Sequence, residues 1–354
     1  MSLGCQVAPK RTSPSTPAPS SAASADAGAV AFNDCHVHLT NYVQDGIDVR
    51  ALLQIMGNRV GRAVLFGIPL QQLWSHRVSG AYAPTYYLNT DSPLYYYSFT
   101  DAYIAMAYLS LDKDQRARFD PMITGFNPAD MYAVDHIERV LRTFPGVFSG
   151  IGEFSIHKEF VSSKVAGDTP SLDDPALDRV LAFAGESGLV ALIHNDMDVP
   201  FAKPGAKPVY LESMRQLLAR HPRTKIIWAH AGLGRVVHPV EQHAKILADL
   251  LVDPALSHVF IDISWSEAAK YLTATPRAVA ISSELIERFP DRFLFGTDEV
   301  APPDQRTYLR VYHQYRPLWA NLRPSTSIRV RSKNYERIFD EARVKVRAWE
   351  RQNR

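Results

Sequence analysis

Two histidines one residue apart, in Asn33-Asp34-Cys35-His36-Val37-His38-Leu39, are the first residues of this chain whose types and spacing could do chemistry. On a strand, alternate side chains share a face, so His36 and His38 are expected to point together into a barrel interior while Cys35 and Val37 face the surrounding helices. Two imidazoles at a strand end form a nitrogen clamp for a divalent ion. Alone, a His-x-His pair is a weak signal. Three later apolar runs end in the same kind of residue: Ala191-Leu192-Ile193-His194, Ile226-Ile227-Trp228-Ala229-His230 and Leu294-Phe295-Gly296-Thr297-Asp298. One histidine closing a strand is usually a polar group meeting solvent. Four strand ends delivering nitrogen or oxygen ligands to one face imply a shared cation. Such an ion would lower the pKa of water from ~15.7 to ~7. Asp298, both ligand and neighbour of that water, would take its proton and pass it to a leaving group.

These residues need a scaffold that brings distant strand ends together. From Phe32 onward, short β-rich apolar runs alternate with helical patterns, which argues for parallel strands joined by crossover helices. The strand candidates are residues 31–39, 62–68, 121–125, 147–154, 190–194, 225–230, 259–263 and 293–297, the number an α/β (β/α)₈ TIM barrel requires. Helical patterns fall between them, at 129–144, 176–187, 210–221 and 282–289. There is no internal repeat. Residues 69–120 form a long insertion after strand two, carrying Tyr82, Tyr86, Tyr87, Tyr95, Tyr96, Tyr97, Tyr103 and Tyr108. Its place in the chain sets it above the C-terminal mouth of the barrel, as a lid or pocket wall. A helical excursion stabilised by its own rings, or a homo-oligomer contact, is the competing reading.

The chain from Phe32 to about Phe339 resembles the amidohydrolase superfamily, in its amidohydrolase-2 branch of TIM-barrel metal hydrolases. The resemblance rests on His36-x-His38, His194, His230, Asp298 and the closing Asn334-Tyr335-Glu336-Arg337-Ile338-Phe339. It implies one ion on His36, His38 and Asp298, with His194 completing that site or binding a second ion together with His230. Many relatives bridge two ions with a carboxylated lysine on strand four. Here Gly150-Ile151-Gly152-Glu153-Phe154 stands instead, and Glu153 would bridge as it does in TatD-like members, or else hold a ligand by hydrogen bonds. The cofactor is one or two divalent ions, zinc first, with manganese or iron also fitting. Asp298 and His230 are the expected catalytic residues; His230, if not a ligand, would polarise the substrate carbonyl or steady the oxyanion. Arg235, Trp265 and His157 are the expected substrate contacts, each with a structural alternative: a salt bridge for Arg235, rim packing for Trp265. The implied reaction is hydrolysis of a carboxylic ester, lactone or amide by metal-activated water. Its rival is non-oxidative decarboxylation of an aromatic or unsaturated acid; a phosphoester hydrolase and an inactive tethered binding protein stand further back.

Composition sets the remaining bounds. A formal net charge of +2 gives no case for a nucleic-acid partner, so a small-molecule substrate is the expected one. No apolar run approaches the ~20 residues of a bilayer span. Residues 1–30 read as a disordered tether ahead of a single barrel domain at 31–354, because a Ser, Ala, Pro and Thr tract buries too little surface to offset its ordering entropy. Within it, Ser2-Leu3-Gly4-Cys5 resembles the end of a lipoprotein signal. A lipidated Cys5 on a periplasmic lipoprotein and an incidental cysteine in a cytoplasmic chain both remain open. With only Cys5 and Cys35 in the sequence, no structural disulfide is expected. His76, His136, His221, His238, His243, His258 and His313 fall in loops or helices and are assigned no chemistry.

Overall fold

The apolar runs of the sequence form a parallel sheet in the computed structural model, which describes residues 29–353; the first 28 residues, with Cys5 and nearly all of the expected tether, lie outside the described residues. Its strands are β1 (Phe32–Asp34), β2 (Val37–His38), β3 (Val60–Leu65), β6 (Phe119–Ile123), β7 (Gly150–Ser155), β8 (Val190–His194), β9 (Ile226–Trp228), β10 (Val259–Asp262), β11 (Phe293–Leu294) and β12 (Glu299–Val300), with β4 (Leu70–Gln72) and β5 (Leu94–Tyr96) in the insertion. Strand order β1-β3-β6-β7-β8-β9-β10-β11 follows the chain, and every pair is parallel. The ring closes where β12 runs parallel to β2 and the Cys35 amide donates to the Phe295 carbonyl. The result is the expected (β/α)₈ barrel, its first and last strands each broken in two.

The break in the first strand has a local cause. Buried Asp34 accepts from the His36 amide, the Thr297 amide and the Thr297 hydroxyl, so its carboxylate takes up backbone groups that a regular ladder would pair. Burial outweighs those bonds and pushes the Asp34 carboxyl up to about 6. The bulge upsets strict alternation: Cys35 turns inward, its thiol 3.5 Å from Asp262 Oδ1, rather than facing the helices as expected. Opposite, Gly296 lets the two backbones approach, since a Cβ there would sit 2.8 Å from His36 N.

Helices cover the outside, among them Val49–Met56, Ala133–Thr143, Pro175–Ser187, Leu211–Arg220, His243–Leu251, Pro276–Arg288 and the closing Asn334–Gln352. Caps fix several of their starts: Asp48 and Asp174 accept from first-turn amides, and Thr275 caps a helix that begins with Pro276, ahead of its expected start. The closing helix is pinned by Asn334, whose side-chain amide donates to the Pro290 and Phe293 carbonyls at 2.8 Å. Asp120 on β6, fully buried, accepts from Arg62 on β3 and from Tyr335 and Arg343 on that helix. The insertion contributes an antiparallel β4–β5 pair and the helix Phe99–Leu109. Tyr87 and Leu94 from it pack with Tyr42 and Val161, so a small separate core ties it to the loops after the first and fourth barrel strands.

Two stability predictions follow from buried groups. Asp120→Asn should leave two part-buried guanidinium groups facing a neutral amide, at a cost of about 2–3 kcal/mol in urea unfolding; an unchanged midpoint would remove Asp120 from the closure of the fold. His243, on the wall of an apolar cavity with Leu247 and Leu285, has its pKa lowered to about 4 by burial, which outweighs a contact with the Ala231 carbonyl. The unfolded chain protonates this ring below about 6.5, but the folded one only below about 4. Stability should therefore fall as pH drops through that window, by up to about 3 kcal/mol for this one group. His243→Leu should show a shallower loss between pH 7 and 4.5 than the native sequence, and parallel losses would refute the assignment.

Candidate metal centre

The C-terminal ends of the barrel strands place six side chains around one point. His36 and His38 come from the β1–β2 strand, Glu153 from β7, His194 from β8, His230 from the turn after β9, and Asp298 from the β11–β12 break. His36, His230 and His194 are buried, as is Glu153, while Asp298 alone shows 8% of its side chain, toward the mouth. Asp298 Oδ1 lies 3.3 Å from His36 Nε2 and 3.1 Å from His38 Nε2. Glu153 divides its oxygens: Oε2 is 3.7 Å from His36 Nε2 and 3.5 Å from His38 Nε2, and Oε1 is 2.8 Å from His194 Nδ1 and 3.5 Å from His230 Nε2. Edges of ~3.3 Å are what a tetrahedron of ligands at ~2.0–2.1 Å from one ion would have. His36, His38 and Asp298 form one group able to hold a metal ion, and Glu153, His194 and His230 form another.

Hydrogen bonds behind the rings decide which nitrogen is available. Asp262 Oδ2 lies 2.9 Å from His36 Nδ1, and a carboxylate only accepts there, so the proton sits on Nδ1. Ser264 donates its hydroxyl to Asp262 at 2.6 Å and so accepts from His230 Nδ1 at 3.1 Å. Without a further proton both rings are left with an Nε2 lone pair aimed at the centre, and among the described residues neither buried Nε2 has a hydrogen-bond partner. A ring nitrogen facing carboxylates needs positive charge between them, either as a further proton on Nε2 or as a bound cation that takes its lone pair. Burial alone would lower the His36 pKa, but the charges of Asp298 and Glu153 and the Asp262 bond hold it well above its ordinary value. The same demand suits a divalent ion, which fits this donor set of nitrogen and oxygen. His194 faces Glu153 with Nδ1 and Asp196 with Nε2, at 3.1 Å.

Three of the surrounding residues sit at positive φ, His230 at 56°, Trp265 at 79° and Asp298 at 52°. For side chains other than glycine this is strained backbone, and its concentration at three neighbouring strand ends marks where the fold spends stability on placing groups.

Above the centre lies a cavity of about 380 Å³, walled by Tyr42, Tyr86, Tyr87, Lys158, Arg235 and Trp265, with His38 and Asp298 at its floor. Arg235 and Trp265 line this cavity, and so do Tyr86 and Tyr87 from the insertion. Tyr82 instead points to solvent, 86% exposed. His157 is absent from the cavity: its ring stacks on Tyr210, centroids 3.8 Å apart. The next residue, Lys158, enters instead, its ammonium 3.4 Å from Glu153 Oε1. Sequence reasoning also gave no role to Asp262, although an acid closing the seventh strand opposite the histidine pair is a readable signal.

Comparison with solved structures gives the same fold at low identity. An amidohydrolase from Burkholderia multivorans with bound zinc shares 14% identity over 87% of this chain and 99% of its own, at a TM-score of 0.53. A probable 2-pyrone-4,6-dicarboxylic acid hydrolase from Acinetobacter baumannii, with citric acid bound, shares 11% over 88% and 100%, at 0.53. Dihydroorotase from Campylobacter jejuni shares 15% over 87% and 83%, at 0.50. No curated protein sequence matches. Residues 33–340 match the amidohydrolase-2 family, described as Amidohydrolase, and the chain belongs to that family of metal-dependent TIM-barrel enzymes.

Proposed function

We propose that this enzyme hydrolyses a carboxylic ester, lactone or amide in a small molecule, with Asp298 as proton carrier beside a metal centre held by His36, His38, Glu153, His194, His230 and Asp298. The observation that carries the reading is the position of Asp298: its Oδ1 faces the two strand-one imidazoles while its carboxylate is the acid of the cluster that also borders the cavity. Bound divalent ions supply water of lowered pKa and polarise a carbonyl oxygen. Burial would raise the Asp298 carboxyl, but the nearby His36 and the bond to His38 hold it well below the usual carboxylate range. It is therefore ionised at neutral pH and able to accept a proton. In the proposed reaction water oxygen bonds to the carbonyl carbon, its proton passes to Asp298, and the carbon–oxygen or carbon–nitrogen bond breaks as that proton moves to the leaving group. His230, its own proton held at Nδ1 by Ser264, has no N–H to offer an oxyanion, so it serves as a ligand in this scheme rather than as the carbonyl polariser that the sequence left open.

Glu153 supports a two-ion centre, because each of its oxygens faces a different histidine pair at 2.8–3.7 Å. Decarboxylation uses a similar set of ligands, but it has no step for a proton carrier between water and a leaving group.

Elemental analysis of protein saturated with zinc should find two ions per chain, and Glu153→Ala should bring that to one or fewer; two ions retained without Glu153 would end the bridging role. A panel of lactones, esters and amides, followed by acid release, tests the reaction itself. Asp298→Asn should keep the circular dichroism spectrum and lower kcat by at least about a thousandfold. Full turnover in that variant, or release of carbon dioxide from unsaturated acids with no cleavage of the panel, would overturn the hydrolase reading.

A further inference from the structure

Lys158 is poorly explained by the centre alone. Only 10% of its side chain is exposed, and its backbone amide is fixed by the Ser162 hydroxyl at 2.9 Å, which is itself bonded to the Ile156 carbonyl. The ammonium therefore cannot be treated as a loose surface charge. Among the described residues its one salt-bridge partner is Glu153, at 3.4 Å. With cations bound beside Glu153, that carboxylate would be shared, and Lys158 would be a buried positive charge beside further positive charge.

Arg235 is in a related position. Its guanidinium reaches the Tyr86 hydroxyl at 3.4 Å and Glu267 at 3.6 Å, both long, and also meets the Tyr87 hydroxyl, so its one carboxylate contact among the described residues is a loose one. Arg310, the third cation of the cavity, differs: Glu299 holds it at 2.9 Å. Lys158 Nζ and the Arg235 guanidinium carbon lie 5.9 Å and 5.8 Å from the same indole ring, that of Trp265, and Trp265 packs 4.9 Å from the His230 ring. Two under-compensated cations thus share one flat apolar surface at the edge of the centre.

We propose that the substrate is itself an acid, whose carboxylate is bound by Lys158 and Arg235 against the face of Trp265 while its scissile carbonyl lies over the metal centre. The inference rests on the hydrolase reading above for the word substrate, but the anion site stands on its own geometry. Because the ammonium lies so near Glu153, the carboxylate must sit within about two or three bonds of the carbonyl that is cleaved, given ~1.5 Å per carbon–carbon bond. Arg235 supplies the planar fork that grips two oxygens, Lys158 the point charge, and Trp265 a surface for an unsaturated ring or flat chain. Neutral esters and amides of the same skeleton leave the Lys158 charge buried and unpaired, so they are rejected by the same groups that recognise the acid.

Calorimetric titration of the zinc-loaded protein with benzoate, set against benzamide as a neutral shape mimic, tests the site without turnover. Benzoate should bind at least about tenfold more tightly than benzamide, and Lys158→Met and Arg235→Met should each weaken benzoate by about tenfold or more while leaving zinc content unchanged. Benzoate binding that survives both substitutions reports an anion on the metal alone and overturns the proposal, as does equal binding of benzamide. Should Lys158→Met fail to fold, Arg235→Met, whose side chain is about one-third exposed, decides the matter by the same two criteria. A hydrolase panel that fails while benzoate discrimination holds would remove the reaction and keep the anion site.

Discussion

Four imidazoles and two carboxylates converge in a space almost closed to water, and the rest of the structure exists to make that tolerable. Carboxylates buried this way repel one another and would rather be neutral. What keeps them charged is positive charge at the centre, from protonated rings, from Lys158 or from bound ions. The hydrogen bonds behind the rings then matter as much as the ligands. Asp262 fixes the proton of His36, Ser264 relays the same constraint to His230, and Asp196 faces the far nitrogen of His194. Each bond turns a rotatable ring into one with a defined lone pair.

That convergence is available only because the barrel closes at this end. The seam between the first and last strands is the least regular part of the sheet, and it carries His36, His38 and Asp298. Asp34 and Thr297 replace ladder bonds there with side-chain ones, and Gly296 removes the Cβ that would hold the backbones apart. Regular pairing would leave His36 and Asp298 at the spacing of ordinary neighbours in a sheet. The bulge instead brings Asp298 Oδ1 to within 3.3 Å of both strand-one rings. Along β3, β6 and the last helix, Asp120 gathers Arg62, Tyr335 and Arg343, and this polar clasp bears on the whole barrel rather than on any one ligand.

Legibility in the sequence follows the physics of strands and loops. Strand-end residues such as His194 and Asp298 were readable, because an apolar run of fixed direction leaves little choice about where its last polar residue goes. Alternation sets Cys35 outward because it takes no account of a bulge created by a carboxylate 263 residues from its Thr297 partner. His157 and Lys158 show the limit more sharply. Past the end of β7 the chain turns, and the side chain aimed at the cavity is the second of the two, while the first finds Tyr210 to stack on. The strand pair in the insertion is hidden because its strands are three residues each, too short for a periodic signal.

The insertion also shows how one barrel acquires a particular cavity. The candidate ligands come from barrel strands and strand ends, but much of the wall comes from elsewhere: Tyr86 and Tyr87 from the insertion, Tyr42 and Lys158 from the loops it packs against. The small core of Tyr42, Leu70, Tyr87, Leu94 and Val161 is separate from the main one, so its residues can change without disturbing the barrel's packing. Lys158 belongs to both parts, held by the loop yet paired with Glu153 of the centre. A substitution in this satellite core that tilts the Tyr87 wall would therefore shift the ammonium against Glu153 and alter the charge felt at the metal position. Cavity shape and the electrostatics of the centre are in this way coupled through a single side chain, although the residues that set them fold in different cores.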